Sequence, residues 1–458
     1  MEQEKSLNFW AEVKDIFKKI SDKFDSQWRK RKRVLGTELL VTIILKLVQN
    51  KNRQGYGSTL MQFWESCAEK NIELPQVNSV AASSLCEARQ KLPEEIFKEL
   101  NQELINHWQK HQKLPSWKGH RIFAVDGSRV NVPRELIKDG YKLYAEERGR
   151  YYPQGLMSCL YNLQEKVVYD FSFVTHMNER LCALEHMKHL TAKDIIVFDR
   201  GYFSYLLLYK VIEQGIQGIF RLQVQENGTN SKVLDFWKSE QDDTVIEYTP
   251  SITVIHYLKK KGFTLEVKPL IVRLIKHKIN DETYVYATTL ISEAYPKECF
   301  AEIYHGRWGI EELYKISKQF IELEDFHAKT GRGVKQELYA HILLINLARF
   351  IEFEATSLLP PSKKDEANII GHRENFSNIF NSVTILNINF KNCLLVMGRH
   401  LENLILAGCE VLKDWLPKIT NSIARIRQKI RPNRHYPRIS HRPRDRWSSY
   451  RNLKGVKT

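Results

Sequence analysis

FAVDGSRVNV, residues 123–132, is an apolar run with an aspartate, Asp126, inside it. DIIVFDRGYF, 194–203, is a second such run, with Asp199 near the end of its apolar part. A charged group within a Val/Ile/Phe run is expensive to bury without a partner. Each aspartate alone has an ordinary explanation. Asp126–Gly127 is a turn signal, and an aspartate at a strand end often caps the next helix. The flanking sequence decides between these explanations and a shared site.

Working outward, RIFAVDGSRVNV (121–132), GLMSCLYNL (155–163) and KVVYDFSFVT (166–175) alternate or run apolar between short polar breaks. They predict three adjacent antiparallel strands, with Asp126 on the first. NERLCALEHMKHL (178–190) predicts a helix, DIIVFD (194–199) a buried strand, FSYLLLYKVIEQG (203–215) a helix ending at Gly215, and GIFRLQ (218–223) the next strand. Three antiparallel strands, a helix, then strand–helix–strand is the order of an α/β, RNase H-like fold. In that order the ends of the first and fourth strands lie side by side, so Asp126 and Asp199 are expected to converge. His186 and His189, three apart on the 178–190 helix, are expected on an exposed face rather than as a metal pair.

Downstream, YHGRWGIEELYKISK (304–318) has the composition of a helix, with no proline and one internal glycine, Gly309. At about 100° per residue, Tyr304, Arg307, Glu311 and Lys318 fall within roughly a 60° arc. This is either an amphipathic helix with scattered charges or one wall of a site. Two aspartates and a glutamate brought together repel one another and call for a divalent cation. Oxygen-only ligands select Mg²⁺ or Mn²⁺.

These residues resemble the DDE transposases of bacterial insertion sequences, in the subgroup marked by a Tyr-x2-Arg-x3-Glu-x6-Lys helix. Tyr304, Arg307, Glu311 and Lys318 match that spacing at every position. VDGSRVNVP around Asp126, DRGYF around Asp199 and the stretch 281–308 are similar as well. The similarity runs over roughly residues 78–350, with a weaker echo at the C-terminus. It implies an acidic triad of Asp126, Asp199 and Glu311 holding two Mg²⁺ (or Mn²⁺) ions. Cut-and-paste DNA transposition would follow, through a hairpin on the transposon end, in a paired-end complex of two protomers. Tyr304, Arg307 and Lys318 would hold the phosphate beside the cleaved bond, and Arg200 would neutralise phosphate next to the ions. No covalent protein–DNA intermediate is needed, so Tyr304 is not a nucleophile in this reading. Asn178, Glu179 and Arg180 also resemble a recurring family run, without a physical role. The competing readings are a metal-dependent nuclease of the same fold and a non-catalytic, transposase-derived DNA-binding protein.

Residues 1–115 are expected to form a helical region that recognises the DNA ends, and 116–355 the RNase H-like catalytic domain. Asp199 and Glu311 are too far apart in the chain for one helix to fill the gap. The stretch 224–290 (TVIEYTP, ITVIHYL, FTLEVKPLIVRLI, YVYATTL) is rich in β-branched and aromatic residues and predicts a mostly β insertion. The resemblance implies that this insertion grips the DNA end. VKQELYAHILLINLARFIEFEA (334–355) predicts a helix packed under the sheet, and 356–458 a helical region with a basic tail.

The 458 residues carry a formal charge of +16 and a pI near 9.3. Such a balance points to a polyanion, most simply double-stranded DNA. WRKRKR (28–33) and the run from Arg425 to Arg446, with Tyr436 and Trp447 interleaved or adjacent, read either as solvated segments or as phosphate contacts; the net charge favours the second. LLVTIILKLV (39–48) is short for a bilayer and contains Lys46, so no membrane span is expected. MEQEKSLNFW lacks the apolar core of a secretory leader. Seven scattered cysteines without a CxxC pair suit a reducing compartment, hence a cytoplasmic location, and the resemblance implies a bacterial, nucleoid-associated one. They argue against a disulfide framework and a structural zinc site.

Overall fold

The computed structural model describes residues 2–29, 34–49, 55–112, 116–143, 152–226, 229–279, 282–320, 322–358 and 386–429. Five helices open it: α1 (Glu2–Trp28), α2 (Thr37–Gln49), α3 (Tyr56–Glu69), α4 (Ala82–Lys91) and α5 (Glu95–His111). The three antiparallel strands then follow as β1 (Arg121–Asn131), β2 (Gln154–Asn162) and β3 (Val167–Val174). After them come α6 (Glu179–Met187), β4 (Asp194–Phe198), α7 (Tyr205–Glu213) and β5 (Gln217–Arg221). β4 lies parallel to β1, and β5 parallel to β4. This is the RNase H-like order, in which α6 and α7 bridge parallel strands through crossovers.

The register carries the consequence. The β1–β4 ladder runs from Arg121↔Asp194 to Ala124↔Val197. Asp126 and Asp199 each stand two residues beyond that last pair and are therefore level. The opposite end of the ladder is locked by Arg121, whose Nε and Nη2 donate to the two oxygens of buried Asp194 at 2.7 and 2.8 Å. A bidentate pair of this kind fixes geometry as well as charge. Asp126 sits within β1 opposite Cys159, so Asp126–Gly127 is strand, not turn.

The insertion does not stand apart from the core. β6 (Asp243–Tyr248), β7 (Leu270–Ile279) and β8 (Glu282–Thr288) extend the same sheet, in the order β3-β2-β1-β4-β5-β8-β7-β6. Two short helices accompany them: α8 (Ser231–Lys238) precedes β6, and α9 (Ile252–Lys260) separates β6 from β7. ITVIHYL, which reads as strand by composition, is α9. The Ser251 hydroxyl accepts from the Val254 N–H at its start, and only Leu258 of that helix is buried. A local cap outweighs β-propensity where no neighbouring strand reaches the segment.

α10 (Glu298–Gly306) and α11 (Trp308–Lys315) follow the sheet, then a π-helical turn, Ile316–Phe320, and the long α12 (Gly331–Ser357). α12 packs on β3 and against α2 and α5. One buried polar tie fixes this packing. Asn346 on α12 accepts from the Val168 N–H at 2.9 Å and donates to the Val168 carbonyl and to Asn101 of α5, at 2.8 and 2.7 Å. Asn346→Leu strands the Val168 amide and Asn101 away from water. It is expected to cost about 2 kcal/mol in denaturant unfolding of the full chain.

The apolar run at 394–412 is not one helix; segments Phe390–Arg399, Leu401–Ile405 and Cys409–Arg425 divide it and pack against α12 and α1. In the N-terminal basic run, Trp28 Nε1 donates to Thr37 Oγ1 at 2.7 Å and Arg29 pairs with Asp25. Residues 30–33, and the basic tail from residue 430 onward, lie outside the described residues. Among the described residues no helix is long and apolar enough to cross a membrane.

Candidate active site

β1 brings Asp126, and the bend after β4 brings Asp199, to one edge of the sheet. Glu311 is carried there by α11, which Tyr314 pins down: its hydroxyl donates to the backbone oxygens of Asp126 and Met157 at 2.9 and 3.2 Å. The stretch 304–318 is not one rod, as its composition predicts. α10 ends at Gly306, and the Arg307 and Ile310 N–H groups each bond to a carbonyl three residues back. Lys318 falls in the π-helical turn, which rotates it relative to a straight α-helix.

That break tucks Arg307 inward, only 4% exposed. Its Nη2 donates to Glu311 Oε1 at 2.5 Å, and its Nη1 stands 3.8 Å from Asp126 Oδ2. One guanidinium thus separates two of the carboxylates. Tyr304 donates its hydroxyl to Asp199 Oδ1 at 2.6 Å. Arg221 lies 5.7 Å over the Tyr304 ring and 4.7 Å over Tyr284. Lys318 donates its ammonium to the Arg129 carbonyl, further along β1, and Arg200 is exposed at the bend after Asp199. Among the described residues, Asp126, Asp199 and Glu311 do not form a trio whose ligating atoms all lie within 4.8 Å of one another. Arg307 fills the space between Asp126 and Glu311.

Electrostatics divide the two aspartates. Burial pushes Asp126 up to about 7, with Glu179 and Asp199 adding to the rise; Arg307 and the Gly127 N–H oppose it. Burial also acts on Asp199, but the Tyr304 hydroxyl, the Arg200 backbone N–H and the guanidinium groups of Arg307 and Arg221 together hold it below the usual carboxylate value.

Reasoning from sequence missed a fourth carboxylate. Asn178 caps α6 by accepting from the Leu181 N–H, which turns Glu179 toward β1. A Cβ on Gly127 would come within 2.9 Å of Glu179 Cγ and 3.0 Å of its Oε1. Gly127 is the gap that admits Glu179 beside Asp126. Arg180 donates to the Gly201 carbonyl at 2.9 Å, tying α6 to the bend after Asp199. Buried Tyr202 follows in that bend, and its N–H bonds to the Asp199 carbonyl. The available signal was the Asn178-Glu179-Arg180 run, which resembles a recurring family run and which the structure places beside the bend after Asp199. His186, by contrast, is not on an exposed face. It is fully buried between Asp170 (2.6 Å) and Ser158 (3.0 Å), while His189 stays partly exposed.

An RNase H-like sheet with aspartates level on its first and fourth strands, and a glutamate delivered by a later helix, defines the class of RNase H-like proteins with an acidic site. Residues 117–347 match the model of the transposase DDE domain, and the chain belongs to that family. It is 23% identical over 281 residues to the transposase InsG for insertion sequence element IS4 of Escherichia coli (strain K12), an alignment covering 59% of this chain and 61% of that one. It is 24% identical over 320 residues to the transposase for insertion sequence element IS231F of Bacillus thuringiensis subsp. israelensis, covering 61% and 63%. The chain thus spans less than two thirds of the length of these curated relatives. Among solved structures, a piggyBac transposase synaptic complex with hairpin DNA aligns at a TM-score of 0.42 and 10% identity, over 88% of this chain and 82% of that one.

Proposed function

We propose that the chain is an insertion-sequence DNA transposase that binds terminal inverted repeats, cleaves there and transfers the strand to target DNA. The observation that carries this reading is the level pair Asp126 and Asp199, with Glu311 held against Asp126 through Arg307, in a chain of the transposase DDE family.

The donors at this edge suit a hard divalent ion. They are carboxylate oxygens from Asp126, Asp199, Glu311 and Glu179. Asp126, Asp199 and Glu311 would hold two Mg²⁺ or Mn²⁺ ions. The chemistry such ions would supply is activation of the attacking oxygen and charge stabilisation at the leaving 3′-oxygen. The chain's own groups set the geometry. Tyr304 orients Asp199 and Arg307 orients Glu311. Both are turned onto carboxylates in the arrangement seen, so phosphate contact by either requires it to swing. Lys318 and exposed Arg200 are two nearby cations that would meet the DNA backbone.

The regions 1–115 and 356–458 would recognise the DNA ends and add phosphate contacts, and the insertion 224–290 would grip the end being cut. Cleavage through a hairpin and assembly of two protomers on paired ends complete the proposal. The enzyme would act on chromosomal DNA in the bacterial cytoplasm. The +16 charge supports an affinity whose logarithm falls linearly with the logarithm of salt concentration.

Purified protein with Mg²⁺, the flanking inverted repeats and a target plasmid tests the reading. Joined products support it. Cut products alone leave a nuclease, and a mobility shift with neither product leaves a DNA-binding protein. Tyr304→Phe removes the hydrogen bond to Asp199 and is expected to slow cleavage by about tenfold, with DNA affinity retained.

A further inference from the structure

A second cluster of potential ligands lies outside the acidic edge, where α1 meets α5. His107 and His111 are four residues apart on α5 and so share a face. Glu12 of α1 faces both. Its Oε2 stands 3.4 Å from His107 Nδ1 and 3.1 Å from His111 Nε2. One ligating atom from each of the three residues lies within 4.8 Å of the other two.

The hydrogen-bond pattern aims one ring nitrogen of His107 at Glu12. His107 Nε2 is 3.2 Å from the Phe9 carbonyl oxygen. A carbonyl only accepts, so this nitrogen carries the hydrogen, and in the neutral ring Nδ1 aims a lone pair at Glu12. Two acceptors 3.4 Å apart repel unless a proton or a cation lies between them.

The two Glu12 distances are compatible with a shared metal ion. In a tetrahedral site with bonds of about 2.0–2.1 Å, neighbouring ligand atoms are about 3.3 Å apart. The two Glu12 distances bracket that value. The His107 ring is clamped by stacking on Phe9, with centroids 4.6 Å apart and planes 19° from parallel. The bond from its remote nitrogen to a backbone carbonyl is the arrangement that orients histidine ligands. His107 is 7% exposed, whereas His111 and Glu12 are 40% and 50% exposed, which leaves a wet side for water as a further ligand.

We propose that Glu12, His107 and His111 bind a divalent transition-metal ion of the zinc type, which clamps α1 onto α5. Two imidazoles and one carboxylate select Zn²⁺, Co²⁺ or Ni²⁺ over Mg²⁺. The site is distinct in both place and chemistry from the all-oxygen acidic edge. Cysteine spacing says nothing about it, because it uses no thiol.

The test is a Zn²⁺ titration of the full chain, stripped with chelator and then dialysed into excess Mg²⁺, by calorimetry and thermal melting. The expected result is about one equivalent bound, with a higher melting temperature. His111→Ala and Glu12→Gln, both at partly exposed positions, should bind at least about tenfold more weakly and lose the thermal shift. Asp126→Asn should leave both readouts unchanged. The proposal is overturned if the native chain shows no Zn²⁺-dependent shift, or if both variants bind Zn²⁺ as tightly as the native chain.

Discussion

Asp126→Asn is expected to reduce cleavage of repeat-ended DNA by about 10⁴-fold, the scale on which single members of a catalytic constellation count. The substitution keeps the side chain's shape and removes its charge. The carboxylate is 20% exposed and its contact with Arg307 is long, at 3.8 Å, so the fold should survive. Arg307 keeps Glu311 as a partner at 2.5 Å. The strand is held by its ladder to β2 and by Tyr314, which bonds to the backbone oxygen of residue 126 rather than to the side chain. DNA affinity should change little, because phosphate contacts by basic groups dominate it. Cleavage within tenfold of native, in a variant that melts normally, would remove Asp126 from the chemistry and with it the proposed triad.

Gly127→Ala should lower cleavage by about 10²-fold, the loss typical of an ångström-scale misplacement at a reacting centre. The new methyl group would meet Glu179 Cγ and Leu156 Cδ1, each at 2.9 Å. Both neighbours are side chains able to turn aside, so the variant should remain folded while the Glu179 carboxylate leaves Asp126. Gly201→Ala is the control. It lies in the bend after Asp199, and a Cβ there meets nothing within 4 Å. If both alanine variants cleave like the native chain, Glu179 has no part in the site. If Gly127→Ala unfolds, Glu179→Gln asks the same question without added bulk.

Much of the sheet was legible in the chain because its signal is local. β1 to β5 and the helices between them read directly from apolar runs broken by polar turns, and the strand order fixes which ends meet. α9 was misread because a serine cap, not β-branched content, governs a segment that no strand reaches. His186 was misread because a helix of weak periodicity does not disclose which face meets β2 and β3.

The sequence alone led to the expectation that Asp126 and Asp199 meet at one end of the sheet, since strand order is a property of the chain itself, while Glu311 joined them only through its resemblance to a known helix signature. Only the tertiary structure decided how those acids are held. The bend at Arg307, the entry of Glu179 over Gly127, and the meeting of Glu12 with two histidines across α1 and α5 each depend on contacts between residues distant in sequence, which no local periodicity records.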